Sequence, residues 1–242
     1  MTGEDLVRWH DLECSGYDVD LPLWRELAAA AGGPVLDVGA GTGRTSLDLA
    51  RRGVDVTALD VEEPLLRVLA RRARAQRLTV PTLLADAREL AIGTRFAAIL
   101  VPMQTVQLLE GREGRARFLA GVRAHLRPGG LFAAALADAL EGYDASVCEP
   151  PLPDMVDHGG TLYSSRPVAV VPVATGMMIE RLREVVTPAG RRTVSEDRIV
   201  LDTLDADTLT AEAAAAGLTP QPDRLVPATE EHVGSTVVVC RG

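Results

Sequence analysis

Aromatic residues and cysteines are scarce in this 242-residue chain, and each scarcity excludes a class of site. Only 3% of the residues are aromatic, which leaves little from which to build a base-stacking platform for nucleic acid. The three cysteines, Cys14, Cys148 and Cys240, are far apart and form no CxxC pair. Neither a zinc site nor a disulfide framework is indicated, so we predict no metal and interpret each cysteine as a small apolar residue.

Positive charge and long apolar runs are also limited. The formal net charge is -9 at pH 7, and phosphate binding depends on clustered cationic side chains, so we predict no nucleic-acid partner. Two predicted helices, "RVLARRARAQR" and "GREGRARFLAGVRAHLR", hold five arginines each and no lysine, which we interpret as solvated helix faces. The N-terminus has no apolar signal-peptide core and no segment reaches the length of a membrane span. The sequence therefore favours a cytoplasmic protein with no membrane partner.

Short aliphatic runs, in contrast, are abundant and alternate with helical patterns from residue 20 onward. The runs "PVLDVGAG", "VDVTALDV", "PTLLAD", "RFAAILVPM" and "GGLFAAALA" predict five strands separated by helices. Such alternation predicts βαβ units and a doubly wound parallel sheet with helices on both faces. After Asp138 a Pro- and Gly-rich stretch predicts a loop or lid, and three antiparallel strands are expected over about 161–203. A helix and a last strand, "STVVVC", complete one α/β domain.

The stretch "VLDVGAGTGR", residues 35–44, follows the first predicted strand with glycines at alternate positions. Glycine loses more conformational freedom on folding than other residues, so this spacing indicates that something approaches the backbone closely. A dinucleotide site requires G-x-G-x-x-G, but here the spacing is G-x-G-x-G and Arg44 stands where the last glycine is needed. Asp37 would also repel a pyrophosphate, which favours a ligand that carries a cation.

Three neighbouring predicted strands each end in a carboxylate: Asp37, Asp60 and Asp86. Ligands of open α/β sheets bind outside the carboxyl ends of the strands, and an acid after the second strand accepts hydrogen bonds from ribose hydroxyls. Any one of these residues taken alone would equally suit a helix cap. Their joint spacing favours a nucleoside with a free ribose and a positively charged tail.

At these residues the sequence resembles the class I S-adenosylmethionine-dependent methyltransferases. "VLDVGAGTGR" is similar to their first motif, "VTALDV" to their second-strand acid, "LLADAREL" to their adenine-binding stretch and "LRPGGLF" to the turn into their fifth strand. The resemblance covers about residues 34–137. It implies a Rossmann-like, mostly parallel seven-stranded sheet with a reversed last strand and an antiparallel insertion. The single domain, 1–242, would then comprise a cofactor-binding core (20–137), the lid and antiparallel strands (138–203), and the final helix and strand (204–242).

The resemblance also implies contacts with the methionyl part of the cofactor. Gly39, Ala40 and Gly41 would lie against it. Asp37 would help to hold its ammonium group, and the carbonyl of Val101 would lie near the same amine. Val101 would equally suit a core position.

A second set of residues would contact the nucleoside part. The resemblance implies that Asp60 holds the ribose hydroxyls and that Val61 covers one face of the adenine, although Val61 would equally suit a core position. Asp86 would accept a hydrogen bond from the adenine amino group, and the Ala87 N–H would reach a ring nitrogen. In similar enzymes the N-terminal segment folds over the cofactor, so Tyr17 is a further candidate pocket residue, or else an anchor on the core.

No catalytic residue can be assigned from the sequence. Methyl transfer from a sulfonium depends mostly on alignment, and a base is needed only where the acceptor must lose a proton. Gln104 would orient a polar acceptor, and His158 in the lid and His232 before the last strand are the candidate bases, although a loop histidine is more often solvated. His10 and His125 are interpreted as surface positions on helices.

We therefore predict S-adenosylmethionine-dependent methyl transfer to an oxygen, nitrogen or carbon of a small molecule, with S-adenosylhomocysteine as product. The chain would be a monomer or a homodimer. One alternative is a protein of the same fold that binds the cofactor without transferring methyl. A second is an NAD(P)-dependent oxidoreductase, against which Arg44 and Asp37 argue.

Overall fold

A computed structural model describes residues 2–137, 143–146, 152–229 and 234–242. The helices in these ranges are α1 (Gly3–Cys14), α2 (Leu21–Ala31), α3 (Arg44–Arg51), α4 (Glu63–Ala75), α5 (Gly111–His125) and α6 (Ala206–Ala215). The strands are β1 (Val35–Val38), β2 (Val56–Asp60), β3 (Thr82–Leu84), β4 (Phe96–Val101), β5 (Leu126–Leu136), β6 (Tyr143–Asp144), β7 (Asp154–His158), β8 (Thr161–Val173), β9 (Gly176–Val186), β10 (Arg192–Asp202), β11 (Thr219–Pro220), β12 (Arg224–Val226) and β13 (Ser235–Arg241). Short 3-10 helices cover Ala87–Glu89 and Thr105–Leu108.

The larger sheet has the order β11-β13-β5-β4-β1-β2-β3, and β12 pairs with β13. Strands β1 to β5 pair in parallel, whereas β13 is antiparallel to β5. The mostly parallel, Rossmann-like fold with a reversed last strand is thus confirmed. The sheet has eight described strands rather than the seven expected, because residues 224–226 turn back to pair with β13.

The central strands are buried on both faces, which explains why they appear in the sequence as continuous apolar runs. All six residues of β4 are buried, and one apolar cluster covers each face of the sheet. Trp24 of α2 is fully buried in the first cluster, and Phe118 of α5 packs against Phe132 in the second. The carboxyl ends of these strands are held in fixed positions as a result.

The smaller sheet is antiparallel, with the order β10-β9-β8-β6 and with β7 paired to β8. Strands β8, β9 and β10 confirm the three strands expected over about 161–203. The expectation of a loop is wrong at β7, where residues 154–158 pair with the first five residues of β8. Pairing with the long strand β8 overrides the turn-rich local composition. The division of the chain at 137/138 and 203/204 stays a prediction.

Two expectations about helix surfaces are wrong on α5. Arg115 is buried: its Nε donates to Glu212 (2.8 Å) and its Nη1 donates to Asp202 (2.7 Å). His125 is partly buried, because its Nε2 accepts from the Ile92 N–H (3.0 Å). Helical spacing alone does not show which polar residues of a helix meet partners from distant segments.

No helix within the described ranges is long and apolar enough to span a membrane. Within the same ranges, no group of three or more His, Cys, Asp or Glu side chains is arranged to hold a metal ion.

Candidate functional site

The three strand-end carboxylates lie on adjacent strands at one edge of the larger sheet. Asp37 in β1 is opposite Ala58 in β2, two residues before Asp60 ends that strand. Asp60 is opposite Leu84, the last residue of β3, and Asp86 follows two residues later. The register therefore brings Asp37, Asp60 and Asp86 to the carboxyl edge, as the sequence predicts.

The loop after β1 is held against the end of β2 by backbone hydrogen bonds. The N–H groups of Gly39 and Ala40 both donate to the Leu59 carbonyl (2.9 and 3.0 Å). The Gly41 N–H donates to Asp60 Oδ2 (2.7 Å), and Oδ1 of the same carboxylate accepts from the Glu62 N–H (2.9 Å). Asp60 thus joins the glycine loop to the segment that follows β2. Each of its oxygens retains a lone pair for a ligand hydroxyl.

All three glycines of this loop have positive φ and are closely approached by side chains, two of them by polar ones. Gly39 has a φ of +72°, and a Cβ built on it would lie 2.5 Å from Thr105 Oγ1. Gly41 has a φ of +55°, and a Cβ there would overlap the imidazole of His10. Part of what approaches this backbone is therefore protein, namely one side chain that follows β4 and one from α1.

Asp37 is the one carboxylate of the three that is fully enclosed. Ser46 Oγ donates to its Oδ2 at 2.5 Å, whereas its Oδ1 is buried and has no hydrogen-bond partner among the residues that the structure describes. Burial raises the pKa of Asp37 to about 6, and the hydrogen bond from Ser46 opposes that rise. A buried acceptor without a partner is rare and costly, so this oxygen is a candidate position for a donor supplied by a ligand.

The interpretation of His10 as a surface residue is wrong. Its side chain lies on Gly41, close to Thr42, with 3.5 Å between Nδ1 and Thr42 Oγ1. Burial lowers the pKa of His10, which favours the neutral ring. The next residue fixes the helix in place: Asp11 accepts from Thr42 Oγ1 (2.7 Å) and from Arg72 Nη2 (2.5 Å). Arg72, another arginine expected on a solvated face, is thus ion-paired to α1.

The opposite side of α1 contacts the antiparallel sheet. The Glu13 carboxylate accepts from Ser165 Oγ (2.7 Å) and from Arg183 Nε and Nη2 (2.8 Å each). Trp9 is buried and meets the Tyr163 ring edge to face, with centroids 5.8 Å apart. The helix therefore bridges the glycine loop and the second sheet. No local sequence pattern predicts these contacts, because their partners are more than 150 residues away.

The predicted nucleoside contacts differ in how open they are. Val61 is exposed, so one of its faces is free for a ligand. The Asp86 side chain accepts from the Arg88 backbone N–H (2.8 Å) and is ion-paired to the Arg88 guanidinium, which lowers the pKa of Asp86. Asp86 is therefore a cap as well as a candidate ligand residue. Ala87 and Val101 are buried, the latter within the core cluster.

Tyr17 is buried against the loop by Arg44. The Arg44 Nη1 donates to the Tyr17 carbonyl (2.9 Å), and its guanidinium lies 5.3 Å from the centre of the Tyr17 ring. The same guanidinium forms a bidentate ion pair with Asp20. The Asp20 carboxylate also accepts from Trp24 Nε1. Arg44 thus fixes the start of α3. A cofactor contact by Tyr17 stays a prediction.

Of the candidate catalytic residues that the structure describes, only Gln104 adjoins a residue that contacts the glycine loop. Gln104 begins the 3-10 helix that follows β4, one residue before Thr105. His158 lies exposed at the end of β7, beside the turn into β8. His232 lies outside the described residues. Gln107, in the same 3-10 helix that follows Gln104, is buried and has a structural role. Its Oε1 accepts from the Ala137 N–H, and its Nε2 donates to the Asp202 carbonyl. The roles of Gln104, His158 and His232 stay predictions.

Comparison with known proteins identifies the region that contains this loop. Residues 35–130 match the family model of a methyltransferase domain. Over 99 residues the chain is 35% identical to the cypemycin N-terminal methyltransferase of Streptomyces sp., a match that covers 41% of this chain and 40% of that protein. The chain thus spans less than half the length of this curated relative.

Solved structures extend the similarity to the whole fold. The sugar N-methyltransferase KedS8 from Streptoalloteichus sp. superposes with a TM-score of 0.73 at 19% identity, covering 99% of this chain and 93% of that one. The amino pentose methyltransferase CalS10 from Micromonospora echinaspora, solved with S-adenosylmethionine bound, gives 0.71 at 20% identity, with 94% and 93% covered. Residues 35–130 are therefore similar in sequence to a methyltransferase domain, and the chain as a whole has the fold of these solved methyltransferases.

Proposed function

We propose that the chain transfers the methyl group of S-adenosylmethionine to a nitrogen of a small molecule. The observation that carries the proposal is the pairing of two carboxylates at one glycine loop. Asp37 Oδ1 is a buried acceptor without a partner, and Asp60 is held beside the loop with acceptor capacity to spare. An ammonium group and a ribose diol are the donors that such a pair accommodates.

The residues present fit that cofactor. Asp37 Oδ1 would accept from the methionyl ammonium, which would also stabilise its ionised form. Asp60 would accept from the ribose hydroxyls, and the exposed face of Val61 would cover the adenine. Asp86 and the Ala87 N–H would contact the adenine edge. The cofactor itself supplies an activated methyl group on a sulfonium, and the chain's task is to hold and align it.

A nitrogen acceptor is favoured by the activities named for the relatives. These include a sugar N-methyltransferase, a glycopeptide N-methyltransferase and a toxoflavin N1-methyltransferase. A neutral amine carries its own lone pair, so attack on the methyl group needs no prior deprotonation. This agrees with a site in which His158 lies exposed at a hairpin end rather than at the glycine loop.

The first test is calorimetric titration with S-adenosylmethionine, S-adenosylhomocysteine and NADH. The native chain should bind the first two and not the third. Asp60→Ala should weaken binding about 10- to 100-fold, since it removes hydrogen bonds from the ribose and loosens the loop. Asp55→Ala, an exposed residue just before the same strand, is the matched control and should bind normally.

The second test is methyl transfer to a panel of small amines, alcohols and phenols, with the product located by mass spectrometry. Methylation at nitrogen would support the proposal. Methylation only of oxygen or carbon would support S-adenosylmethionine as the methyl donor but contradict a nitrogen acceptor. Cofactor binding without transfer to any acceptor would favour a binding protein of the same fold. No binding of either adenosyl compound by the folded chain, with binding of NADH, would overturn it.

A further inference from the structure

Strand β10 leaves an open edge on the antiparallel sheet. It pairs with β9 along its whole length, and no strand in the described part of the chain pairs with its other side. Residues 192–196 are exposed, and so are Arg198 and Val200. A long open edge presents unpaired N–H and C=O groups, which makes it a template for pairing with a further strand.

The hydrogen-bond pattern shows which β10 residues offer these groups. At the turn between β9 and β10, the Thr187 N–H donates to the Arg191 carbonyl (2.9 Å). Hydrogen-bonded pairs alternate along an antiparallel ladder, and the β9–β10 register has no shift. Odd-numbered residues of β10, including Asp197, therefore direct their backbone groups to β9. Even-numbered residues from Arg192 to Val200 direct theirs to the open edge.

Side chains along this edge are complementary to themselves about Asp197, the midpoint of the strand. Glu196 and Arg198 lie one residue on either side, and Val194 and Val200 lie three residues on either side. All four are exposed and share the outer face. An antiparallel copy centred on Asp197 would oppose Glu196 to Arg198 twice and Val194 to Val200 twice. Its hydrogen bonds would join even-numbered residues, which are the ones with free backbone groups.

Neighbouring two-fold registers are poorer. Centring the pair on Glu196 or on Arg198 would oppose two like charges at the axis and would give no pair of opposite charges, unlike the register about Asp197. Centring it on Ser195 would oppose Arg192 to Arg198. Like charges directly opposite each other destabilise a strand pair. Centring on Val194 would pair only about half of the strand. Of these two-fold registers, the one about Asp197 therefore gives the most favourable side-chain pairs along the open edge of β10.

The Asp197 side chains meet at the axis of that register, but each is already neutralised. Asp197 Oδ1 accepts from Arg183 Nη1 at 2.8 Å on the inner face of the same protomer. We propose that this chain forms a homodimer in which β10 pairs with β10 of a second copy about Asp197, so that the two antiparallel sheets become one. A contact of this kind uses the same patch on both subunits and closes with two-fold symmetry. The proposal does not depend on the proposed activity.

Charge reversal tests the pairing in the full chain. Sedimentation over a range of concentrations should show the native chain as a dimer. Glu196→Arg and Arg198→Glu each create two like-charge oppositions and should raise the dimer dissociation constant about tenfold or more. The double variant Glu196→Arg/Arg198→Glu should restore the dimer, because it exchanges the charges. Within its own protomer Arg198 is ion-paired with Glu180 and Glu196. Arg67→Glu is the control, an exposed arginine on α4 that is ion-paired with Glu63.

Cysteine cross-linking tests the register and remains informative if a charge variant does not fold. Residues 195 and 199 face each other across the proposed axis in a non-hydrogen-bonded pair, where Cα atoms are about 4.5 Å apart and a disulfide can form. Ser195→Cys/Ile199→Cys should give a covalent dimer on oxidation, whereas Ser195→Cys alone and the native chain should not. A monomeric native chain, a dimer equally stable with Glu196→Arg, or no cross-link from the double cysteine variant would overturn the proposal.

Discussion

All six residues of β4 in the parallel sheet are buried, whereas β10 in the antiparallel sheet has one buried residue and seven exposed ones. The parallel sheet is enclosed by two apolar clusters. The antiparallel sheet is attached to it through charged groups, with Arg183 on Glu13 at one end and Arg115 on Asp202 at the other. The family model matches the first region and ends before the second. The parallel sheet thus rests on apolar burial, and the antiparallel sheet, which the family model does not match, is joined to the rest of the chain by ion pairs.

Arg115→Met should cause the largest loss of unfolding free energy, because it removes the ion pair that joins the antiparallel sheet to α5. Arg115 is enclosed between Asp202 and Glu212, whose side chains are also nearly buried. Its loss leaves two carboxylates buried without a counter-charge, which typically costs about 3–5 kcal/mol of unfolding free energy. Arg67→Met removes an exposed ion pair with Glu63 and should cost less than about 0.5 kcal/mol. Urea unfolding of both variants measures the difference, and similar values would contradict a junction held by buried charge.

Gly41→Ala tests whether the glycine loop depends on contact with α1. Alanine at a φ of +55° is strained by about 1–2 kcal/mol, and its Cβ would overlap His10, which adds about 1–3 kcal/mol. Gly53→Ala has a φ of +77° with open space around it and should show the strain alone. Adding His10→Ala to Gly41→Ala should recover most of the excess. Unfolding free energies of the four proteins decide this, and equal losses at positions 41 and 53 would exclude the His10 contact.

Asp37→Asn should reveal, through the pH dependence of stability, the buried carboxylate whose Oδ1 has no hydrogen-bond partner among the described residues. The pKa of Asp37 is raised to about 6 in the folded state, so the folded chain holds a proton that the unfolded chain has released above about pH 4. The native chain should therefore lose about 2–3 kcal/mol relative to Asp37→Asn as the pH rises from about 4 to 6, with no further change above that. Urea unfolding across this range measures it. Parallel stability curves would show that the pKa is not raised.

Local signals in the sequence were sufficient to predict the glycine loop and the carboxylates at the strand ends. The glycine spacing after β1 and the carboxylates at 37, 60 and 86 each depend on a single strand and the turn after it. Parallel pairing then brings all strand ends to one edge whatever the rest of the chain does. The strands β8 to β10 could likewise be predicted, because hairpin turns separate them. The strand β7 could not, since its pairing with β8 contradicts its own turn-rich composition.

The sequence by itself determined the alternation of strands and helices in the parallel sheet, the glycine loop and the three strand-end acids, because these follow from patterns within about ten residues. Only the tertiary structure decided that His10 lies on Gly41, that Arg115 is buried, and that Glu13 meets Arg183 across 170 positions of the chain. A polar side chain on a helix has the same local pattern whether it faces water or a distant partner. Whether such a side chain is buried with a partner is decided only when the two segments pack together.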